Sequence, residues 1–177
     1  MKITTIFNQE LEISDCLGCH LVQTGVFKDG LIAETNTMQL SLDLELAYPG
    51  MMILSSKRHI EYFDQFSPEE LNDWNKLLAA ATQALRQDTA CRHIVYCFRS
   101  FVGYHLHLAI MPIWKEGDYQ NDYTILHDLG TDMEKLRKEN IQKVLSYKDK
   151  LCSSINSYFE MLYLEKHEGE FRCQKLK

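Results

Sequence analysis

The stretch that decides the fold is Gly103-Tyr104-His105-Leu106-His107-Leu108-Ala109-Ile110-Met111-Pro112. Its strict alternation predicts a β-strand whose side chains point in turn to two faces, and Pro112, which cannot donate to a ladder, predicts the strand's end. One face carries His105, His107 and Ala109. Side chains two apart on a strand stand about 6 to 7 Å apart, so the two imidazoles can serve one site. Two solvent-exposed histidines are the alternative. The other face is apolar and predicts packing on a core, with Tyr104, Leu106, Leu108 and Ile110.

Length and composition indicate an ordinary globular protein. Of the 177 residues, 45% are hydrophobic and 25% are charged, which favours one domain with an appendage over two full domains or disorder. The 19 basic and 25 acidic residues give a net charge of -6, which argues against a partner that is a nucleic-acid polymer. No apolar run is long enough for a signal peptide or a membrane span, so we expect a cytoplasmic protein without a membrane partner.

A close cysteine pair precedes the predicted strands. Cys16-Leu17-Gly18-Cys19 has the tight spacing that lets two thiolates reach one metal ion. In a reducing compartment such a pair is typical of metal-binding or redox sites rather than of a disulfide framework. Two buried free thiols are an alternative. A redox pair is disfavoured, because that motif belongs at a helix start in a βαβ unit and the predicted context here is antiparallel.

Further strands and one helix surround the histidine stretch. Short apolar runs separated by turn signals predict antiparallel strands at 31–35, 38–44, 51–55 and 93–98, with the histidine strand as the fifth. A helix begins between the third and fourth strands, where Ser67 is the N-cap, Pro68 takes the first helical position and Glu70 completes a capping box. Its apolar residues recur at helical spacing to about Arg86.

The composition changes after residue 114. Residues 115–128 are polar with scattered aromatics and predict a loop, whereas residues 131–164 show apolar faces at helical spacing and predict one long helix or two, broken near residues 146–149. We therefore divide the chain into a domain of residues 1–114 and an extension of residues 115–177. The predicted fold class is α+β, with a five-stranded antiparallel sheet, a packed helix and a helical C-terminal extension.

The order of these features resembles the histidine-triad (HIT) superfamily of nucleotidyl transferases and hydrolases over residues 14–114. A cysteine pair, a Pro-Gly turn into a strand that ends in Lys-Arg-His, a capped helix and a His-x-His strand follow one another. In the family motif, three histidines alternate with apolar residues, and a proline often closes the motif. Laid on this sequence, the motif puts its three histidine positions at His105, His107 and Ala109.

The resemblance implies that His107 is the nucleophile. In the family the second histidine attacks phosphorus and expels the leaving group, and water then cleaves the nucleotidyl-histidine. A neutral imidazole suits this role, because a free pKa of about 6.5 leaves the ring mostly unprotonated at cellular pH. A nucleotide or nucleotide-conjugate ligand and a homodimer are also implied. Arg99 and Ser100, in the loop before the motif, are the candidate phosphate contacts.

The chain departs from the family pattern around the phosphate. Ala109 carries a methyl group at the third histidine position, so it can neither donate a hydrogen bond nor transfer a proton. A further family histidine is replaced in the Met51-Met52 region, and residues 99–103 lack most of the polar groups that hold phosphate oxygens. Loss of one preorganised donor can cost about a hundredfold in rate. The alternative function is therefore a catalytically inactive HIT-fold module that contains zinc and serves binding or interaction.

The resemblance also implies a zinc site. Bacterial members often hold zinc with two N-terminal cysteines, the histidine of the Lys-Arg-His segment and the first triad histidine, which correspond here to Cys16, Cys19, His59 and His105. Two sulfurs and two imidazole nitrogens make a closed tetrahedral set, which is typical of structural zinc. Such a site would pin the N-terminal segment and the approach to the helix onto the histidine strand.

Overall fold

The computed structural model describes residues 1–99, 104–121 and 124–164. Within these ranges a two-stranded ribbon consists of β1 (Lys2–Thr4) and β2 (Glu10–Glu12). The central sheet consists of β3 (Leu31–Glu34), β4 (Met38–Leu42), β5 (Met52–Ser56), β6 (Cys91–Arg99) and β7 (His107–Trp114). The α-helices are α1 (Leu17–Thr24), α2 (Pro68–Arg86), α3 (Ile125–Thr131) and α4 (Met133–Leu164), and two short 3-10 helices are Lys28–Gly30 and Phe63–Gln65.

The central sheet confirms the predicted fold class. Its five strands are all antiparallel and lie in the order β3-β4-β5-β7-β6. The histidine strand β7 therefore lies between β5 and β6. In register, Ser55 of β5 and Arg99 of β6 pair with His107 from opposite sides. The fold thus places the second histidine of the motif in the interior of the sheet, with a neighbour on each side.

Strand β7 differs from its predicted extent at both ends. It begins at His107, because Tyr104 adopts a left-handed φ of 53° and is 67% exposed. The predicted placement of Tyr104 on the core face is therefore wrong. The strand also continues through Pro112 to Trp114. Pairing with β5 ends at Ile110, and beyond it β7 pairs with β6 alone, so a residue without an N–H is tolerated on the open side.

Helix α2 begins where the sequence predicts. Ser67 Oγ accepts the backbone N–H of Glu70 at 3.2 Å, and Glu70 Oε2 accepts the backbone N–H of Ser67 at 2.8 Å, which completes the capping box. The Arg58 guanidinium donates to both carboxylate oxygens of Glu70, at 3.0 and 2.8 Å. The end of β5 is thereby tied to the start of α2, whose buried face includes Trp74 and Leu77.

This capping carboxylate predicts an acid-sensitive contribution to stability. Hydrogen bonds from Arg58, and then from the backbone of Ser67, lower the pKa of Glu70 from 4.5 to about 2 against the opposing effect of burial. We expect Glu70→Gln to lower the free energy of unfolding by about 1 to 2 kcal/mol at neutral pH. Because the folded-state pKa is depressed, this difference is present above pH 4.5 and is lost as the pH falls towards 2.

Urea denaturation at a series of pH values measures this difference. Glu69→Gln is the matched control, because Glu69 lies in the same helical turn but is exposed. A difference between Glu70→Gln and the parent that persists unchanged into acid would contradict the expectation.

The N-terminal ribbon was not predicted. Strands β1 and β2 pair over three residues each, and Ile3 and Leu11 bury their side chains at 8% exposure. A strand of three residues shows too few alternations to reveal a period of two. Residues 13–15 connect the end of the ribbon to Cys16, the first residue of the cysteine pair.

The C-terminal extension forms α3 and α4. The break between the two helices lies at Asp132, and α4 continues without interruption through residues 146–149. Of the two alternatives for residues 131–164, one long helix is therefore confirmed, and the break near residues 146–149 is wrong. The predicted loop ends earlier than expected, because α3 begins at Ile125. The division of the chain into residues 1–114 and 115–177 stays a prediction.

Buried and polar contacts fix α4 to the rest of the chain. The helix packs on α2 and β3. The Tyr147 hydroxyl and Lys150 Nζ donate to Asp88 Oδ2 at 2.9 and 2.7 Å. Lys148, 1% exposed, donates to the main-chain oxygen of Asp29 at 2.5 Å. These contacts hold the segment in which a break was expected. Among the described residues, no helix is both long and apolar enough to cross a membrane.

Candidate metal centre and ligand cleft

The structure brings the four predicted metal ligands together. One ligand atom from each of Cys16, Cys19, His59 and His105 lies within 4.8 Å of the others. Cys16 Sγ is 3.4 Å from His105 Nδ1, and Cys19 Sγ is 3.3 Å from His59 Nδ1 and 3.6 Å from His105 Nδ1. A tetrahedral zinc ion with bonds of about 2.0 to 2.3 Å separates neighbouring ligand atoms by about 3.3 to 3.8 Å. The donor set and its spacing therefore fit a tetrahedral metal ion.

Both imidazoles have Nδ1 towards the sulfurs and Nε2 towards an oxygen acceptor. His105 Nε2 is 2.9 Å from the carbonyl oxygen of Ser56, which can only accept, so Nε2 carries the proton and Nδ1 the lone pair. His59 Nε2 is 3.5 Å from Glu61 Oε1, which supports the same tautomer. Acceptors behind the ring hold ligating imidazoles in place. Burial, the largest cause, holds the pKa of His105 below its usual range and so favours the neutral ring that binds metal.

The cysteine pair lies at the start of helix α1. Cys16 is the N-cap, and its Sγ accepts the backbone N–H of Cys19 at 3.4 Å. Burial raises the pKa of Cys19 to about 11, and the neighbouring Cys16 adds to this effect. A cation between the two sulfurs would reverse that preference, because it would stabilise the thiolates. The pair does begin a helix, as redox pairs do, but it faces two imidazoles and an antiparallel sheet rather than a βαβ unit.

Gly18 makes room for the first histidine of the motif. A Cβ built on Gly18 would lie 2.5 Å from Cγ and 2.6 Å from Nδ1 of His105, which is far closer than ordinary van der Waals contact. Helix α1 can rest on the imidazole only because residue 18 lacks a side chain. The sequence predictions included neither this helix nor a role for Gly18. Within the helix that the structure shows, glycine costs about 1 kcal/mol relative to alanine.

We expect Gly18→Ala to damage the metal centre. The added methyl displaces the His105 ring from the sulfurs, so affinity for zinc should fall by about tenfold or more. Competition with a chromophoric chelator measures this affinity. Gly130→Ala is the control, because a Cβ there would meet no atom within 4 Å. Equal zinc affinity in the two variants would show that the close approach at Gly18 is unimportant.

His107 faces a cleft beside the four-residue cluster. The cleft has a volume of about 380 Å³, and both His105 and His107 line it. His107 Nδ1 is 2.9 Å from the main-chain oxygen of His105. Because a carbonyl only accepts, Nδ1 carries the proton and the lone pair of the neutral ring is on Nε2. This tautomer can act as a nucleophile through Nε2.

The cleft combines a polar floor with apolar walls. Gln39 of β4 and Ser55 of β5 belong to the floor, and Gln39 Nε2 donates to Ser55 Oγ at 3.3 Å. Asp43 and Glu45 contribute carboxylates, and none of the described residues that line the cleft is lysine or arginine. The large apolar side chains of the lining are Leu17, Leu21, Phe27, Leu42, Leu44, Leu46, Ile53, Leu126 and Met133.

Asp43 is a cleft residue that sequence analysis missed. Its Oδ1 accepts the backbone N–H groups of Glu45 and Leu46, both at 2.9 Å, and these bonds fix the carboxylate beside the cleft. The sequence feature that could have indicated it is the alternation of Ser41 and Asp43 with leucines. Alternation places such residues on one face of a strand but does not say what that face meets.

The predicted phosphate contacts fall largely outside the described residues. Ser100 is not among them, and for Arg99 the description covers the backbone, which pairs with His107, but not the side chain. Ala109, the third motif position, is 0% exposed and lies in register between Ile53 and Cys97. This position therefore presents a buried methyl group instead of an imidazole.

Comparison with known proteins gives structural relatives only. No protein-family model matches the sequence, and no curated protein matches it. A zinc-bound histidine-triad family protein from Mycobacterium smegmatis aligns with a TM-score of 0.57 at 15% identity, over 82% of this chain and 96% of that protein. A hypothetical histidine-triad nucleotide-binding protein from Sulfolobus tokodaii aligns with a TM-score of 0.58 at 14% identity, over 88% of this chain and 100% of that protein.

A third relative extends the same pattern. A HIT-like protein from Bartonella henselae described as involved in cell-cycle regulation aligns with a TM-score of 0.51 at 14% identity, over 81% of this chain and 98% of that protein. At such identities the likeness concerns the fold. Together with the sheet order and the position of the His-x-His strand, these alignments show that the chain has the fold of the histidine-triad superfamily.

Proposed function

We propose that this protein binds a nucleotide or nucleotide conjugate in the cleft and hydrolyses or transfers its nucleotidyl group through His107. The observation that carries the proposal is the position of this imidazole. It lines a cavity of about 380 Å³, and its bond to the main-chain oxygen of His105 leaves the lone pair on Nε2. Cavities of this size are typical of small-molecule sites.

The proposed reaction has two steps. The Nε2 lone pair of His107 attacks phosphorus, and the bond to the leaving group breaks with its electron pair on that group. Water then attacks phosphorus, the P–N bond breaks, and nucleoside monophosphate is released with the electron pair back on Nε2. Ala109 supplies no proton at its position, which favours substrates whose leaving group departs as a stable anion.

The remaining lining suits the nucleoside part of such a ligand. The leucines and Phe27 provide apolar surface for a base, and the Asp43 carboxylate can accept hydrogen bonds from ribose hydroxyls. The carboxylates of Asp43 and Glu45, without a basic residue among the described lining, make a long polyphosphate chain unfavourable in the apolar part of the cleft. We therefore expect nucleoside monophosphates and their esters to bind best.

Turnover with a defined panel tests the proposal. The panel contains adenosine phosphoramidates, dinucleoside polyphosphates, nucleotide sugars and the p-nitrophenyl ester of a nucleoside monophosphate, and nucleotide release is measured for the parent and for His107→Ala. Release by the parent alone supports the proposed reaction. Absence of release together with absence of nucleotide binding in calorimetry would contradict it.

A binding module without catalysis is the second candidate. It is favoured by the burial of Ala109, which is 0% exposed. The third motif position therefore offers no polar group and cannot be reached by a ligand. In that case calorimetry shows nucleotide binding by the parent while no member of the panel is turned over.

The four-residue cluster supports a structural zinc ion. Cys16 and Cys19 would supply thiolates, and His59 and His105 would supply Nδ1, in a set that leaves no position for substrate. A reducing cytoplasm would keep the thiols available. Metal analysis of protein purified without added metal should give about one equivalent of zinc per chain, and less than about a tenth would contradict the site.

The open edge of β6 supports a homodimer. Strand β6 is last in the order of the described strands. Phe98 of β6 and Phe63 are 55% and 48% exposed, and both rings pack on Trp74. A second copy that pairs along this edge would cover both features in a two-fold interface. Phe98→Glu should shift the mass measured by light scattering from dimer to monomer, whereas Met161→Glu, at an exposed position on α4, should not. A monomeric parent would contradict the dimer.

A further inference from the structure

The C-terminal extension reaches the cleft, although it lies outside residues 14–114, over which the sequence resembles the superfamily. Leu126 and Gly130 of α3 and Met133 of α4 line the same cavity as His107. We propose that this α3/α4 elbow, defined by Leu126, Gly130 and Met133, is the wall that selects the bound base by size and admits a two-ring base. The inference rests on the proposed nucleotide-binding function and assigns its specificity.

The elbow is held in place by contacts within α3 and at the helix break. Thr124 Oγ1 donates to Asp128 Oδ2 at 2.6 Å, and the Tyr119 hydroxyl donates to Asp132 Oδ2 at 2.7 Å. Leu129 is 0% exposed and belongs to the hydrophobic core. A wall that is anchored in this way can discriminate between ligands of different size, because it does not move to fit each ligand.

The glycine of the elbow lines the cleft and leaves a gap, in the sense of open space at its Cβ position. Gly130 is exposed, and a Cβ built on it would meet no atom within 4 Å. Glycine is less favourable than alanine in a helix, so its presence in α3 weakens the helix without serving any close protein contact at the Cβ position. Gly18 differs, because the ring of His105 occupies the space beside it. At Gly130, which lines the cleft, the corresponding space is open.

The side chains around this gap suit a flat aromatic ring. Met133 presents a polarisable thioether, which contacts aromatic rings favourably, and Leu126 adds apolar surface. Leu21 and Phe27 line the same cavity and complete an apolar slot with them. In the proposed binding mode the base occupies this slot, with its ribose towards Asp43 and its phosphate towards His107, both of which line the same cavity. The larger base is then the one whose outer edge needs the space in front of Gly130.

Calorimetry with AMP, GMP, CMP and UMP tests the wall. We expect Gly130→Leu to weaken binding of the two purine nucleotides by about tenfold or more and to affect the pyrimidine nucleotides less, because the added side chain fills the gap. Gly130→Ala should change each Kd by less than about threefold, since a single methyl leaves most of the gap open. Gln142→Leu adds the same side chain at an exposed position on α4 and should leave all four affinities unchanged.

If circular dichroism shows that Gly130→Leu does not fold, a second variant still tests the wall. Met133→Ala removes apolar surface without adding bulk and should weaken purine binding by about tenfold. A parent that binds none of the four nucleotides overturns both the proposed function and this inference. A parent that binds, while neither folded wall variant changes the ratio of purine to pyrimidine affinity, overturns the wall alone.

Discussion

Replacing His107 with alanine is expected to lower the rate of nucleotide release by at least about a thousandfold, because removal of a covalent nucleophile leaves only the contribution of binding and positioning. The imidazole is held in one tautomer by the main-chain oxygen of His105, 2.9 Å from Nδ1. Its Nε2 therefore needs no deprotonation before attack. A methyl group at the same position supplies no lone pair, so no covalent intermediate can form.

Trapping the intermediate distinguishes a nucleophile from a residue with a structural role, because only a nucleophile forms a covalent adduct. Rapid acid-free denaturation of the parent during turnover should yield a nucleotidyl adduct on His107 that mass spectrometry locates and that mild acid removes, as expected for a P–N bond. His93→Ala is the control, since His93 is exposed on β6 and is not in the cleft lining. Turnover by folded, metal-containing His107→Ala at the parental rate would exclude this imidazole as the nucleophile.

The parts of the fold that could be predicted are those with local signals. Ser67, Pro68 and Glu70 specify the start of α2 through contacts within one turn, and the capping box is found as expected. The five strands follow from short apolar runs between turn signals and, in the histidine strand, from period-two alternation, and these signals depend on neighbouring residues only. The clustering of Cys16, Cys19, His59 and His105 was implied by the resemblance. The sheet order explains part of it, because the pairing of β5 with β7 brings His59, after β5, next to His105, before β7.

The parts that could not be predicted depend on contacts between distant residues. The left-handed backbone of Tyr104 shortens β7. The alternating pattern of the sequence does not predict this conformation, because a positive φ is uncommon for any residue other than glycine. The need for glycine at residue 18 arises from the ring of His105, 87 positions later in the chain. The elbow at Gly130 lies beyond the resemblance, so its place in the cleft lining follows only from the packing of α4 against α2 and β3.

Loss of both thiolates is expected to have the largest effect on stability. In the double variant Cys16→Ser with Cys19→Ser, zinc content should fall from about one equivalent to less than about a tenth. The free energy of unfolding should fall by at least about 3 kcal/mol, which corresponds to a decrease in melting temperature of roughly 10 °C for a chain of this length. The physical reason is that the proposed ion would join three separate segments, namely the start of α1, the residues after β5 and the approach to β7.

Two comparisons separate loss of the metal from loss of thiol packing. Cys91→Ser with Cys97→Ser alters two partly buried thiols outside the cluster, so this pair should retain zinc and lose less than about 2 kcal/mol. A strong chelator should lower the melting temperature of the parent towards that of Cys16→Ser with Cys19→Ser and should leave the latter unchanged, because a ligand that binds only the folded state stabilises it by mass action. If chelation leaves the melting temperature of the zinc-loaded parent unaltered, the ion does not join these segments and the cluster has no structural role.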